Sequence, residues 1–122
     1  MRIAIPVDEN NIKTSVCVSF GRAPYFLIYD TNTDKSVFLE NKAATSPGGA
    51  GIKAAQAVVD SNARVLLTPR CGENAANVIL EGGVKIFKTA FPSAKENIEA
   101  FIAGKLSLLD EIHSGYHKNG SN

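Results

Sequence analysis

The sequence predicts an α/β domain with a five-stranded mixed sheet and three helices. Five short apolar runs have the length of strands, and polar or glycine-rich segments separate them. Segments with apolar residues at helical spacing occur only after the third, fourth and fifth of these runs. The predicted order of elements is therefore β-β-β-α-β-α-β-α.

The first half of the chain is predicted to form three strands. Residues 2–7 are apolar and partly β-branched, and the polar residues 8–11 close this run. Residues 25–30 and 36–41 are two more apolar runs, and the five polar residues between them predict a hairpin. The segment 14–26 places a cysteine, a glycine and an arginine ahead of this hairpin, which is typical of a loop shaped for binding.

The second half is predicted to alternate helices and strands. The glycine-rich bend 47–51 opens the first helix, and the glycine pair 82–83 closes the second, because left-handed backbone is easily adopted there. Ser93 and Glu96 form a capping box for the third helix, which stops at Gly104. In chain order these elements are a helix at 52–59, a strand at 64–68, a helix at 73–81, a strand at 84–88 and a helix from 94.

This order of elements fixes a sheet topology. A hairpin followed by βα units predicts that the second strand is antiparallel and the others are parallel. Right-handed crossovers place the fourth and fifth strands beyond the first, which gives the order 3-2-1-4-5 of the ribonuclease-H-like motif. Residues 1–110 are predicted to form this single domain, and residues 111–122 a polar, flexible tail.

Composition excludes several classes of partner. The formal charge is +1 and no run of Lys or Arg occurs, so a nucleic-acid partner is not expected. The apolar runs are far shorter than the roughly 20 residues of a membrane span, so no membrane is expected. The N-terminus does not resemble a signal peptide, and two cysteines without an export signal predict a cytoplasmic protein with reduced thiols.

The topology brings four segments to one edge of the sheet. These segments are residues 17–22, 46–51, 69–74 and the loop after residue 88. Ligands of open α/β sheets bind outside the carboxyl ends of the strands. The sequence therefore predicts a composite site that contains both cysteines and the glycines that open two helices.

Each cysteine has two interpretations. Cys71 stands at the start of the second helix beside Arg70, where the helix dipole favours thiolate, but it can equally be a small buried residue. Cys17 is either a core residue between two valines or a metal ligand. Two thiolates do not complete a tetrahedral site, and no C-x-x-C pair is present. A cluster held here needs further ligands.

The glycines and histidines carry weaker signals. The bend with Gly48 and Gly49 can present backbone N–H groups to an anion, although both nucleotide-binding glycine fingerprints are absent. His113 and His117 have the i,i+4 spacing that can chelate a metal on a helix. Gly115 between them disfavours a helix, so a solvated tail is the preferred interpretation.

The carboxylates argue against a nuclease, which the sheet order alone suggests. Two-metal chemistry needs several acids near one point. Asp8 and Glu40 approach the carboxyl edge, whereas Asp30 ends the antiparallel strand at the opposite edge. No Ser-His-Asp or Cys-His-Asp arrangement is evident either.

The chain resembles the dinitrogenase iron–molybdenum cofactor biosynthesis family, which includes NifX-like proteins and the C-terminal part of NifB. The resemblance extends from Met1 to about Leu109 and is that of a small stand-alone member. It rests on the segments FGRAPYFLIYD (20–30), LEN (39–41), GGAGI (48–52) and LTPRCGENA (67–75). The family usually has His-Phe-Gly where this chain has Ser19 before Phe20 and Gly21, so Cys17 is the residue of this loop that can substitute as a ligand.

The resemblance implies a ribonuclease-H-like fold and the binding or carriage of an iron–molybdenum or other metal–sulfur cluster. We therefore expect a non-enzymatic binding protein that works with cluster-assembly proteins. Whether it forms a homodimer stays open. Cys17 and Cys71 are the expected metal ligands, with His113 and His117 as weaker candidates. The other expected cluster contacts are Ser19, Phe20, Gly21, Arg22, Gly48, Gly49, Arg70 and Gly72.

Two other functions stay open at this point. The same edge can serve a regulatory or protein-interaction domain that binds a protein or a small anion without metal. An enzyme with Cys71 as its nucleophile needs a base that the sequence does not supply.

Overall fold

The computed structural model describes residues 1–109. The predicted tail at 111–122 and the histidine pair His113 and His117 lie outside the described residues. No helix within residues 1–109 is long and apolar enough to cross a membrane.

The sheet has the predicted five strands in the predicted order, β3-β2-β1-β4-β5. Strand β2 runs antiparallel to β1 and β3, and β4 runs parallel to β1 and β5. The ribonuclease-H-like α/β fold is therefore confirmed. The strands are β1 (Arg2–Val7), β2 (Tyr25–Asp30), β3 (Lys35–Glu40), β4 (Val65–Thr68) and β5 (Lys85–Lys88).

Strand β3 lies one residue earlier than the sequence predicted. Asp34 has a left-handed backbone (φ 59°) and its N–H bonds to the Asp30 carbonyl, so the turn closes there and Lys35 is already paired with Asp30. At the other end, Asn41 leaves the strand and caps a short 3₁₀ helix, Lys42–Thr45. That helix was not predicted, because four residues are too few to show a periodic pattern.

Three α-helices follow at the predicted places: α1 (Ala50–Asp60), α2 (Glu73–Glu81) and α3 (Ala94–Ile102). The predicted cap of α3 is present, since the Ser93 hydroxyl accepts a hydrogen bond from the Glu96 N–H. Helix α2 ends as predicted at the glycine pair, where Gly83 has a φ of 83°. Helix α1 begins two residues earlier than the apolar spacing indicated, because small residues occupy its first turn.

The two faces of the sheet bury separate cores. On one face, Leu66 of β4 packs in a cluster with Val58 of α1 and Ile79 of α2. On the other face, Ile5 and Ile98 belong to the cluster beneath α3. Each such fully buried aliphatic side chain contributes about 1.5–3 kcal/mol. Both layers hold β1 and β4 at the centre and thereby fix where their carboxyl ends lie.

A proline near the end of β1 changes the hydrogen bonding at that end of the strand. Pro6 has no N–H to donate toward β4, and its carbonyl instead accepts a hydrogen bond from the Cys17 N–H at 2.8 Å. The Asp8 N–H likewise bonds to the Ser15 carbonyl. The loop after β1 therefore folds back against its own strand and leads directly into the carboxyl edge of the sheet.

Candidate ligand-binding cleft

An open cleft of about 560 Å³ lies at the carboxyl edge of the sheet. Three of the four segments expected there line it, as residues 18–22, 49–52 and 70–75. The loop after β5 is not part of this lining. The cleft therefore lies between the loop after β1 and the first turns of α1 and α2.

The loop after β1 is held in one shape by a buried asparagine. Asn41 is 6% exposed, and its side-chain amide donates to the carbonyls of Gly21 (3.1 Å) and Ala23 (2.9 Å). Its side-chain oxygen accepts from the Ala43 N–H, and its own N–H bonds to the Pro24 carbonyl. One side chain thus joins the loop to the start of the 3₁₀ helix. Asn41 belongs to the LEN segment of the family resemblance, but this structural role is not predicted from the sequence.

The buried side chain of Phe20 anchors the same loop in the core. Its side chain is 4% exposed, and its ring centroid lies 5.2 Å from that of Phe26 on β2. The ring is therefore an anchor in the core, and Phe20 also lines the cleft beside the exposed Ser19.

Gly21 brings the loop into contact with α1. A Cβ atom at this position would lie 3.0 Å from both the Cα and the N of Gly51, which are rigid backbone atoms. Only glycine allows this approach without displacement of one segment. The loop and the first turn of α1 thus form two walls that meet at their base.

Arg22 lines the cleft and also supports it. Its Nη1 donates to the carbonyl oxygens of Ala44 (2.9 Å) and Ser46 (2.8 Å), which end the 3₁₀ helix and begin the glycine-rich bend. The guanidinium therefore holds the bend that precedes α1, and its positive charge stays at the cleft.

Two helix N-termini open onto the cleft. Gly49 is the N-cap of α1 and Gly72 the N-cap of α2, and neither supplies a side-chain cap. The first N–H groups of a helix have no acceptor within the helix, and each helix start carries a partial positive charge of about +0.5. Arg70 adds a full charge at the exposed surface, while Glu73 on the first turn of α2 carries the opposite sign. Among the described residues of the lining, cations outnumber anions.

Cys71 is buried in the cleft wall and is protonated at neutral pH. Its side chain is 2% exposed, and burial raises the pKa of its thiol to about 11. Of the two interpretations of Cys71, the small buried residue agrees with this geometry, because desolvation disfavours the thiolate.

Cys17 does not reach the cleft. It is half-buried, and its Sγ lies 3.5 Å from the Ser19 carbonyl as a hydrogen-bond donor. Burial raises the pKa of this thiol, and the nearby Asp8 carboxylate raises it further. Gly48 is exposed and is likewise absent from the lining. Of the two expected metal ligands, the structure brings only Cys71 to the cleft.

The part of the chain that the structure describes contains no group of three or more His, Cys, Asp or Glu residues that could hold a metal ion. The converging acids of a two-metal nuclease are therefore not present in residues 1–109. The charged or polarised groups that line the cleft are the guanidinium groups of Arg22 and Arg70, the Glu73 carboxylate and the N–H groups of two helix starts.

Sequence reasoning missed the apolar lip of the cleft. Val18 is 70% exposed and Ile52 is 45% exposed, and both line the opening. The pattern of Ile52 indicated a core-facing helix position. Ile52 instead lies in the first turn of α1 and lines the cleft.

Comparison with known proteins identifies relatives of the whole domain. The family model described as dinitrogenase iron-molybdenum cofactor matches residues 1–104. The apo form of the orange protein from Desulfovibrio gigas superposes with a TM-score of 0.87 at 28% identity, covering 93% of this chain and 96% of that one. A candidate NifB protein from Thermotoga superposes with a TM-score of 0.81 at 31% identity, covering 94% of this chain and 98% of that one.

A third structure supports the fold alone. A candidate dinitrogenase from Methanocaldococcus jannaschii has a TM-score of 0.69 at 21% identity and covers 90% of this chain and 95% of that one. No curated protein sequence matches the chain. The family match over residues 1–104, together with the NifB-like structure, confirms the resemblance drawn from the sequence: the chain belongs to the dinitrogenase iron-molybdenum cofactor family.

Proposed function

We propose that the cleft binds an anionic metal–sulfur cluster as cargo, and that the chain is a carrier rather than an enzyme in the assembly of iron–molybdenum-type cofactors. The observation that carries this proposal is the convergence of two helix starts without side-chain caps and two arginines on one cleft. The proposed setting is the cytoplasm, where its two free cysteines stay reduced.

Charge is the proposed basis of recognition. Sulfide-rich clusters carry net negative charge, and the backbone N–H groups of the first turns of α1 and α2 can donate to them. Arg22 of the loop after β1 and Arg70 before α2 offset the remaining charge. Ser19, Phe20, Gly21, Gly49 and Gly72 complete the proposed contact surface.

Cys71 is the proposed metal ligand of the cleft. Coordination requires the thiolate, so a metal that binds there has to displace a proton from a group whose pKa is about 11. Cys17 and Gly48 can contribute only if their segments move, since neither lines the cleft. The cluster must therefore bring most of its coordination with it.

The proposal is tested by anaerobic reconstitution with iron, molybdate and sulfide, followed by metal analysis and absorption spectroscopy. We expect an Arg70→Gln/Cys71→Ala double variant to retain much less metal than the wild type. The matched control is Arg64→Gln, which removes an exposed charge outside the cleft and should retain wild-type metal. The proposal fails if the double variant binds as much metal as the wild type, or if the wild type binds none.

A second function, without metal, is favoured by one observation. The apolar lip of Val18 and Ile52 suits a protein partner that covers the mouth of the cleft. In that case the chain is a regulatory or interaction domain. Recovery of the same partner with the wild type and with the Arg70→Gln/Cys71→Ala variant, in the absence of bound metal, would favour this function.

A further inference from the structure

The two edge strands of the sheet differ in whether another segment bonds to their outer side. Along β5, the Lys88 N–H bonds to the Ser107 carbonyl, and the Leu109 N–H bonds to the Ile86 carbonyl. The end of the described chain therefore covers that edge. Strand β3 is the other terminal strand, and no strand within residues 1–109 pairs with its outer side.

The register of the hairpin determines which groups β3 presents outward. The Asn41 N–H bonds to the Pro24 carbonyl directly opposite. Opposed residues of an antiparallel pair alternate between hydrogen-bonded and non-hydrogen-bonded positions. Odd-numbered residues of β3 therefore bond to β2. The N–H and C=O groups of the even-numbered residues, which are Ser36, Phe38 and Glu40, point away from the sheet.

The outer strand also leaves apolar side chains uncovered. Val37 is 55% exposed and Leu39 is 37% exposed, and both lie on the face that carries the buried Ile28. Together these three side chains help to line a groove of about 310 Å³. The central residues 36–39 include no charge, proline or glycine, which are the usual devices that protect an edge strand.

We propose that this edge pairs with the same edge of a second copy of the chain, so that two five-stranded sheets become one continuous mixed sheet in which the two β3 strands are antiparallel across a two-fold axis at Phe38. In this register Phe38 faces Phe38 of the other copy, and Ser36 faces Glu40. All outward-pointing backbone groups of the strand then find partners. Val37 of each copy lies opposite Leu39 of the other, in the closer, non-hydrogen-bonded type of pair.

Charge and backbone conformation disfavour the neighbouring register in which Val37 lies opposite Val37. A shift that placed Val37 opposite Val37 would set Asp34 against Glu40 and bring two carboxylates together. It would also require Asp34, whose φ is 59°, to adopt an extended backbone. In the proposed register no like charges are opposed, and Asp34 lies at the level of Lys42 of the other copy. Because β3 is complementary to itself in this register, a second copy of the chain is the favoured partner for this edge.

The inference does not depend on the proposed function. The residues of β3 and those that line the ligand-binding cleft are different, so both clefts stay open in the dimer. Sedimentation equilibrium without metal should show a mass twice the 13.0 kDa of one chain at high protein concentration. We expect Val37→Lys to raise the dissociation constant of the dimer by at least about tenfold, which corresponds to 1.4 kcal/mol.

Leu80→Lys is the matched control, because Leu80 is 53% exposed on α2 and receives the same charge away from β3. It should leave the dimer unchanged. The proposal is overturned if the wild type stays monomeric, if Val37→Lys stays fully dimeric, or if Leu80→Lys dissociates the dimer equally.

Cysteine cross-linking tests the register itself. In a Cys17→Ser background, Val37→Cys chains mixed with Leu39→Cys chains should form disulfide-linked heterodimers on oxidation, because opposed Cα atoms in such pairs lie about 4.5 Å apart. Val37→Cys alone should link poorly, since equivalent positions are then diagonal neighbours. Efficient linkage of Val37→Cys with itself, or no linkage in the mixture, would contradict the proposed register.

Discussion

At the scale of single residues, two positions determine the shape and chemistry of the cleft. Gly21 allows the loop after β1 to meet the backbone of α1, and Cys71 places a protonated thiol in the wall. Both positions were identified from the sequence, but the choice between a thiolate and a buried thiol at Cys71 was not. Burial depth, which decides that ionisation, is a property of the packed α1 and α2 and cannot be read from the residues next to Cys71.

Gly21→Ala should destabilise the fold, because the new Cβ would press on the Gly51 backbone at 3.0 Å. We expect a loss of about 1–3 kcal/mol in the free energy of unfolding, as is typical of overpacking. Gly48→Ala is the control, since its Cβ would meet nothing within 4 Å. Urea unfolding measures both. Equal midpoints for the two variants would show that the loop does not contact α1 as described.

Cys71 should make the protein less stable at high pH. Burial raises the pKa of the folded thiol from 9.0 to about 11, so the unfolded chain loses this proton first. The stabilising effect of the protonated thiol is complete below pH 9 and is lost as the pH rises through about 11. The difference in unfolding free energy between the wild type and Cys71→Ala should therefore shrink across this window. A difference that does not change with pH would contradict the buried, protonated state.

At the scale of elements, the cleft depends on connections that hold three segments together. The Asn41 side chain ties the loop after β1 to the 3₁₀ helix, and Arg22 ties that helix to the bend before α1. The sequence predicted the strands, the helices and the edge where they meet, because hydrophobic period and glycine position are local signals. It did not predict these ties, since a hydrogen bond between residues about twenty positions apart leaves no periodic trace.

Asn41→Ala should loosen the cleft as well as the fold. The substitution leaves the carbonyls of Gly21 and Ala23 and the N–H of Ala43 without their partner. A buried polar group left without a partner costs about 1–3 kcal/mol, so the midpoint of urea unfolding should fall clearly. Amide hydrogen exchange of residues 18–22 should also accelerate.

The control for this variant is Asn77→Ala, which removes an exposed amide from α2. It should change neither the unfolding midpoint nor the exchange of the loop. If Asn41→Ala leaves the exchange of residues 18–22 at the wild-type rate, the asparagine does not shape the loop.

At the scale of the whole molecule, the cleft proposed for cargo and the edge proposed for pairing lie on separate surfaces. The carboxyl edge of the sheet carries the cationic cleft, and the outer side of β3 carries the unpaired backbone groups. The topology came from the sequence because the hairpin and the βα units leave few arrangements. The exposure of Val37 could not be predicted from the sequence, because an apolar edge strand and an apolar central strand have the same pattern in a single sequence.

An anionic metal–sulfur cluster is the proposed occupant of the cleft. Two-dimensional amide NMR spectra before and after anaerobic reconstitution with iron, molybdate and sulfide test it most directly, together with metal analysis of the same sample. We expect bound metal, with shifted or broadened amide signals concentrated in residues 18–22, 49–52 and 70–75 and little change along β3. Bound metal with changes centred elsewhere, or no bound metal at all, would contradict it.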